Sequence, residues 1–433
     1  MGPEDVRLPD VMSERLAARA QDLLALGSLL EDEHAAEPAE REALAELAER
    51  LRNTYPYPDP HYAGQMLKPP SPIAWAAYAT AMLLNPNNHA LDGGPATAEM
   101  EKDAVAQIAA MFGYEQHLGH LTASGTIANL EALWVARELH PEAAIVSGAN
   151  AHYTHARVSA VLGAMHETVP QDPLGRIDLD ALGERLRRGG VGTVVATPGT
   201  TALGAVDDVA AIADLCAEHG ARLHVDAAYG GFFRLLADGV EPGVTRAPFE
   251  AIARADSIVV DPHKHGLQPY GCGCVVFADP GVGRLYAHDS PYTYFTSDAL
   301  HLGEISLECS RAGAAAAALW TTLRALPLTR AGLGRHVSAA RSAGLELASL
   351  LDADERTELL MEPELDIVCV RSATDPAAAE RAFATLAQDG WHVAKLRLDD
   401  GETVLRCCLL NQEHAGIARE LAAALAEHLT PNR

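Results

Sequence analysis

One lysine stands between two histidines in the stretch DPHKHGLQPYGCGC, residues 261–274. It is one of only four lysines, with Lys68, Lys102 and Lys395, in a chain whose other basic residues are arginine. The apolar run ADSIVV just before it places Lys264 beyond the end of a strand. A lysine held there out of water, with a lowered pKa, can attack a carbonyl and form a Schiff base. A solvated lysine is the plain alternative. A metal site is another, because His263, His265, Cys272 and Cys274 offer four ligands. Zinc ligand pairs usually have two to four residues between them, and neither H-x-H nor C-x-C, with only one, has that spacing.

Four further stretches carry residues of a kind that chemistry uses. Ser124, Gly125 and Thr126 sit between a short apolar run and a helix in LTASGTIANLEAL; free N–H groups at a helix start make an anion cradle, or simply a cap. Asp226 ends the apolar run RLHVD and is followed by small residues, AAYGG. A carboxylate at the C-terminal end of a parallel strand lies where such sheets bind ligands. His152 and His155, in ANAHYTHARV, fall near a helix start, where an imidazole can lie against an aromatic ring or serve only as a satisfied core residue. Arg406 is set inside the apolar strand TVLRCCLLN. There it needs a partner, either a structural acid or a bidentate carboxylate from a ligand.

These residues need elements to hold them. Apolar runs at 143–147, 193–197, 221–225 and 256–260 alternate with helix-period segments at 97–112, 125–139 and 207–219, the rhythm of an α/β domain with a mostly parallel sheet. Two helices are expected over 10–52, with a break near Pro38. The proline-rich YPYPDPHYAGQMLKPPSP, 55–72, excludes regular structure and is expected to cross a surface or a partner subunit. Helices around 308–325 and 330–352 lead into strand, strand, helix, strand, strand and a last helix, a smaller α+β unit. The expected division is an N-terminal helical arm 1–65, a large domain 66–325 and a small domain 326–433.

At 433 residues the chain is long enough for a cleft between two units. A net charge of -26 with no basic tract disfavours nucleic acid and anionic membranes as partners. Seven cysteines at irregular spacing suit a reducing compartment. With no signal peptide and no apolar run long enough to span a bilayer, the expectation is a soluble cytoplasmic protein.

In combination the motifs are more specific than any one of them. ATAEMEKDAVAQIAAMFGY, TASGTIANLEAL, AHYTHARVSAVLG, ATPGTTALGAVDDV, HVDAAYGG, DSIVVDPHKHG and SRAGAAAAALW occur in one order over about 55–325. In that order the sequence resembles the group II amino acid decarboxylases, pyridoxal-5'-phosphate enzymes of the aspartate-aminotransferase-like fold type I. The resemblance implies a homodimer with shared active sites, its N-terminal arm wrapping the partner. It implies that Lys264 holds the cofactor as an aldimine and that His263, Ser124, Gly125 and Thr126 contact its phosphate. It places Asp226 on the pyridine nitrogen, His152 on one ring face and Ala228 on the other, and Thr200 near the oxygen substituents. Arg406 would take a substrate carboxylate, and Tyr292 or Tyr294 would donate the proton after carbon dioxide leaves a quinonoid state. The implied reaction is decarboxylation of an L-amino acid to its amine, with lyase, transamination and decarboxylating oxidative deamination as alternatives on the same scaffold. Two departures stand out: SGTI where the family commonly has GGTE, and HKH where many members have HKW. The second makes His265 a candidate for substrate contact.

Overall fold

The computed structural model describes residues 38–89, 93–287 and 306–430. Seven strands form the main sheet: β1 (Leu118–Thr122), β2 (Ala144–Gly148), β3 (His166–Val169), β4 (Val191–Ala196), β5 (Arg222–Asp226), β6 (Ser257–Val260) and β7 (Gly273–Phe277). Their spatial order is β1-β7-β6-β5-β4-β2-β3. The run from β6 to β3 is parallel, and β7 is antiparallel to both of its neighbours, so β1 points the same way as β6. Every residue of β2, β6 and β7 is buried. Helices cover both faces of such a sheet, which is why these strands read as unbroken apolar runs.

The carboxyl ends of β1, β2, β4, β5 and β6 therefore open on one edge of the sheet, and these ends and the loops leaving them carry Ser124, Gly125, Thr126, His152, Thr200, Asp226, Ala228, His263, Lys264 and His265. The four strands read from the sequence fall within a residue or two of their expected spans. The polar edge strand β3, HETV with two exposed residues, was not legible. An edge strand pairs on one side only and carries charge without penalty, so it lacks the apolar signal.

The second sheet is antiparallel, ordered β10-β11-β9-β8, from β8 (Thr357–Leu359), β9 (Ile367–Ser372), β10 (Ala394–Arg397) and β11 (Thr403–Cys408). Helices Gly334–Asp352, Ala378–Gln388 and His414–His428 share its core. The proline-rich stretch lies against this unit of its own chain. Ala63 N–H donates to His392 O (2.8 Å), His392 N–H to His61 O (3.0 Å), and Cys408 N–H to Ala63 O (2.8 Å). Helix Pro38–Leu51 buries no residue, and its Leu44, Leu47 and Leu51 are exposed.

The loop after β4 and the loop after β5 touch backbone to backbone. A Cβ at Gly230 would stand 1.8 Å from Pro198 O, so no side chain fits. We predict that Gly230→Ala costs about 2–3 kcal/mol or more by overpacking. Gly163→Ala, with φ +67 and nothing within 4 Å of its Cβ, should cost only about 1 kcal/mol from its left-handed backbone. Thermal unfolding of both variants checks the contrast.

Candidate active site

Asp226 ends β5, the central strand, and is only 4% exposed. A carboxylate there needs partners, and they arrive from two helices and a loop. His155 Nε2, on helix Thr154–Leu162, donates to Oδ2 at 2.9 Å. Asn129 Nδ2, on helix Gly125–Leu139, lies 3.4 Å from the same oxygen. Ala228 N–H donates to Oδ1 at 3.1 Å. Burial works to raise the Asp226 carboxyl, but the His155 hydrogen bond and charge, aided by Lys264, outweigh it and hold it far below its ordinary value.

A second layer fixes the first. Asn129 also donates to Gly125 O (2.9 Å), so its amide oxygen is free to accept from His224 Nε2 (2.8 Å). His224 Nδ1 then takes the Ser257 hydroxyl (2.9 Å). Burial pushes His224 down to about 3, so it serves this chain neutral. His224 and Asp226 are two apart on β5 and face the same side. That spacing, and His155 one helical turn after His152, were the signals available in the sequence for residues to which no role was given there.

Lys264 Nζ pairs with Asp261 Oδ2 at 3.0 Å, a partner three residues back. Asp261 in turn lies beside the helix start that forms the cradle. A Cβ at Gly125 would meet its carboxylate oxygens at 2.6 and 2.7 Å, so only glycine lets that backbone approach. Ser124 Oγ caps the helix by accepting Ile127 N–H (3.3 Å). The N–H groups of Gly125 and Thr126, first in the helix, have no intrahelical acceptor. Ahead of them Ala123 N–H donates to Glu308 (2.8 Å), whose carboxyl burial pushes up. His263 Nδ1 donates to Cys272 O (2.7 Å), and its ring packs on Tyr270, ring centroids 4.8 Å apart. His152 is half-buried, and burial pushes its imidazole down against the opposing charge of Asp226, while Lys264 and Asp261 also act on it. Thr200 is buried, with Oγ accepting from Ala205 N–H at 3.1 Å.

Several expectations change here. His265 does not face an open cleft: it is 3% exposed, with Nε2 3.2 Å from Asp366 Oδ2 at the junction of the two units. Arg406 directs Nη2 to Thr201 O (2.6 Å), Nε to Ala202 O (2.9 Å) and Nη1 to Gly64 O (3.5 Å). It clamps the loop after β4 to the small unit and is 5% exposed. Among the described residues its hydrogen-bond partners are carbonyl oxygens. Cys272 and Cys274 are buried, and burial pushes both thiols up, away from the thiolate a metal needs. Among the described residues no group of three or more His, Cys, Asp or Glu is placed to hold a metal ion. Lys68, unlike the partly exposed Lys264, is buried. Its Nζ has no partner among the described residues, and burial brings it down to about 7. Tyr292 and Tyr294 lie outside the described residues.

The donor set suits pyridoxal 5'-phosphate on physical grounds. Free N–H groups at a helix start accept a phosphate, the glycine there leaves room that a Cβ would fill, and a buried carboxylate held ionised suits a cationic pyridine nitrogen. Lys264 pairs with the Asp261 that lies beside Gly125, and its charge reaches Asp226. Fold and site together define a pyridoxal-phosphate enzyme of fold type I.

Comparison with known proteins gives the family. Residues 31–373 match the pyridoxal-dependent decarboxylase conserved domain. The chain is 33% identical to a probable L-aspartate decarboxylase of Halobacterium salinarum over 77% of this chain and 87% of that one. It is 30% identical to the L-tyrosine decarboxylase of Enterococcus faecium over 72% and 67%. The fold is similar to the crystal structure of mouse CSAD (TM-score 0.82, 24% identity, 94% and 92% covered). It is equally similar to that of Oryza sativa TDC with PLP and tryptamine (TM-score 0.82, 20% identity, 100% and 99% covered). This chain belongs to the pyridoxal-dependent decarboxylase family and is a PLP-dependent amino acid decarboxylase.

The Asp226 account has a pH consequence. Because its folded pKa is depressed, the carboxylate stabilises the protein above its unfolded pKa of about 3.9 and loses that contribution only as pH falls through the folded value. His155→Ala removes the main group opposing burial, so the carboxyl rises and the acid-side loss of stability moves toward neutral pH. Melting temperatures from pH 4 to 8 for wild type and variant should show the shift. Coincident profiles would contradict it.

Proposed function

We propose that this protein removes the α-carboxylate of an L-amino acid as carbon dioxide and releases the corresponding amine. The observation carrying this reading is the buried Asp226–His155 pair at the end of β5, with Lys264 near enough to add to the depression of the carboxyl. When bound, the cofactor supplies an electron sink that accepts the electron pair left at the substrate's α-carbon. The chain does the rest. Asp226 keeps a proton on the pyridine nitrogen, and His155 fixes the carboxylate that does so. The N–H groups of Gly125 and Thr126, with Ser124 and His263, anchor the phosphate end.

Lys264, paired here with Asp261, would be the amine that holds the cofactor. His152, Ala228 and Thr200 would line the space that receives it. Arg406 acts on the substrate carboxylate through Nη1, the guanidinium nitrogen with the longest bond here, while its other two bonds hold the loop. Tyr292 or Tyr294 returns a proton to the α-carbon. The exposed apolar residues of helix Pro38–Leu51 support a homodimer in which a second copy covers that helix. Free cysteines throughout, six of the seven buried, support a reducing, cytoplasmic setting.

The test is to load the protein with pyridoxal phosphate, reduce it with borohydride, map the adduct, and screen amino acids for carbon dioxide. The adduct is expected on Lys264, with amine formed in step with carbon dioxide. An aldehyde or keto acid as product would overturn the decarboxylase reading. Asp226→Asn should lower the rate by about 10²-fold or more, the scale of losing one charge-stabilising group.

A further inference from the structure

His265 follows the cofactor lysine directly, yet its ring points into the junction between the two units. It lies edge-on to both Tyr229 and Phe233, with ring centroids 5.0 Å from each. Its Nε2 is 3.2 Å from Asp366 Oδ2. Asp366, at the entry to β9, is fully buried and accepts the Tyr229 hydroxyl on its other oxygen at 2.5 Å. One carboxylate of the small unit thus meets the loop after β5, three residues beyond Asp226, and the turn that carries Lys264. The His265 and Asp366 atoms are at ion-pair distance but off hydrogen-bond alignment, so this contact has room to tighten.

The turn itself needs holding. Leu267 adopts φ +62, a left-handed conformation that a branched side chain avoids. At Gly266 a Cβ would meet the Pro262 Cα and O at 2.6 Å. Such a turn persists where its surroundings over-determine it. One restraint is Ser71 N–H, which donates to Leu267 O at 2.9 Å. The other side of the turn has His265 and Asp366.

We propose that His265 is a positioning residue. Acting through Asp366 and Tyr229, it latches the Lys264 turn to the small unit, so that docking of that unit and presentation of the Lys264 amine toward Asp226 are coupled. This rests on the reading of Lys264 as the cofactor lysine. It assigns the histidine of HKH a mechanical role one residue from the chemistry, with no substrate contact.

The test uses the cofactor-loaded enzyme with His265→Ala, His265→Gln, Asp366→Asn and the His265→Ala/Asp366→Asn double variant. The readouts are kcat, KM, melting temperature, and the rate at which cofactor-free protein forms its absorbing adduct with added pyridoxal phosphate. His265→Ala and Asp366→Asn should lower kcat by about 10- to 100-fold, the cost of a small misplacement, and slow adduct formation. KM should stay within about threefold, as expected when substrate binding is untouched. His265→Gln, which restores an N–H donor near the place of Nε2, should recover most of the rate. The double variant should be no worse than the worse single one, since both break one contact.

Independent, multiplying losses, or a lower melting temperature with unchanged kcat and adduct formation, would overturn the latch. If wild type itself forms no borohydride-trapped adduct on Lys264, the functional reading falls as well. If wild type forms it and the variants match wild type, only the latch falls.

Discussion

The structure depends on keeping one carboxylate ionised in the middle of a buried sheet. Asp226 pays for its burial through His155, Asn129 and the Ala228 N–H, and those partners fix two helices against the end of β5. Without them a buried acid takes up a proton and stops acting as a charge. The chain Asp226–Asn129–His224–Ser257 extends the constraint across β5 to β6, the strand whose exit carries Lys264. Asn129 also holds Gly125, so the ionised carboxylate and the start of helix Gly125–Leu139 share a side chain.

A second constraint lies between the two units. Arg406 holds three backbone carbonyls, two from the loop after β4 and one from the strip that crosses the second sheet. Asp366 meets Tyr229 and His265 nearby. Residues that a sequence reading assigns to substrate also join the two units. A buried arginine satisfied by carbonyl oxygens needs no acid.

Much of this was legible because the site lies at strand ends. A parallel sheet covered on both faces forces apolar runs, and an Asp or a loop lysine just after such a run is placed by the strand itself. That is how Asp226 and Lys264 could be singled out, and the small unit's strand-helix alternation followed from the same periodicity. His265 and Arg406 were read without their structural partners for a common reason: a polar residue in an apolar context announces that it has a partner, not which one. Asp366 and Gly64, their partners, are about 100 and 340 residues away in sequence, and no spacing rule spans that. Glu308 and β3 were missed because their surroundings are polar and carry no period.

The central claim is that Asp226, kept ionised by His155, maintains a positive pyridine nitrogen. The most direct measurement is the ¹⁵N chemical shift of the ring nitrogen in enzyme loaded with ¹⁵N-labelled pyridoxal phosphate. The account predicts a protonated nitrogen from pH 5 to 8, a range bounded by the stability of most proteins, and loss of that proton in Asp226→Asn. An unprotonated nitrogen in the wild-type enzyme at neutral pH would contradict it.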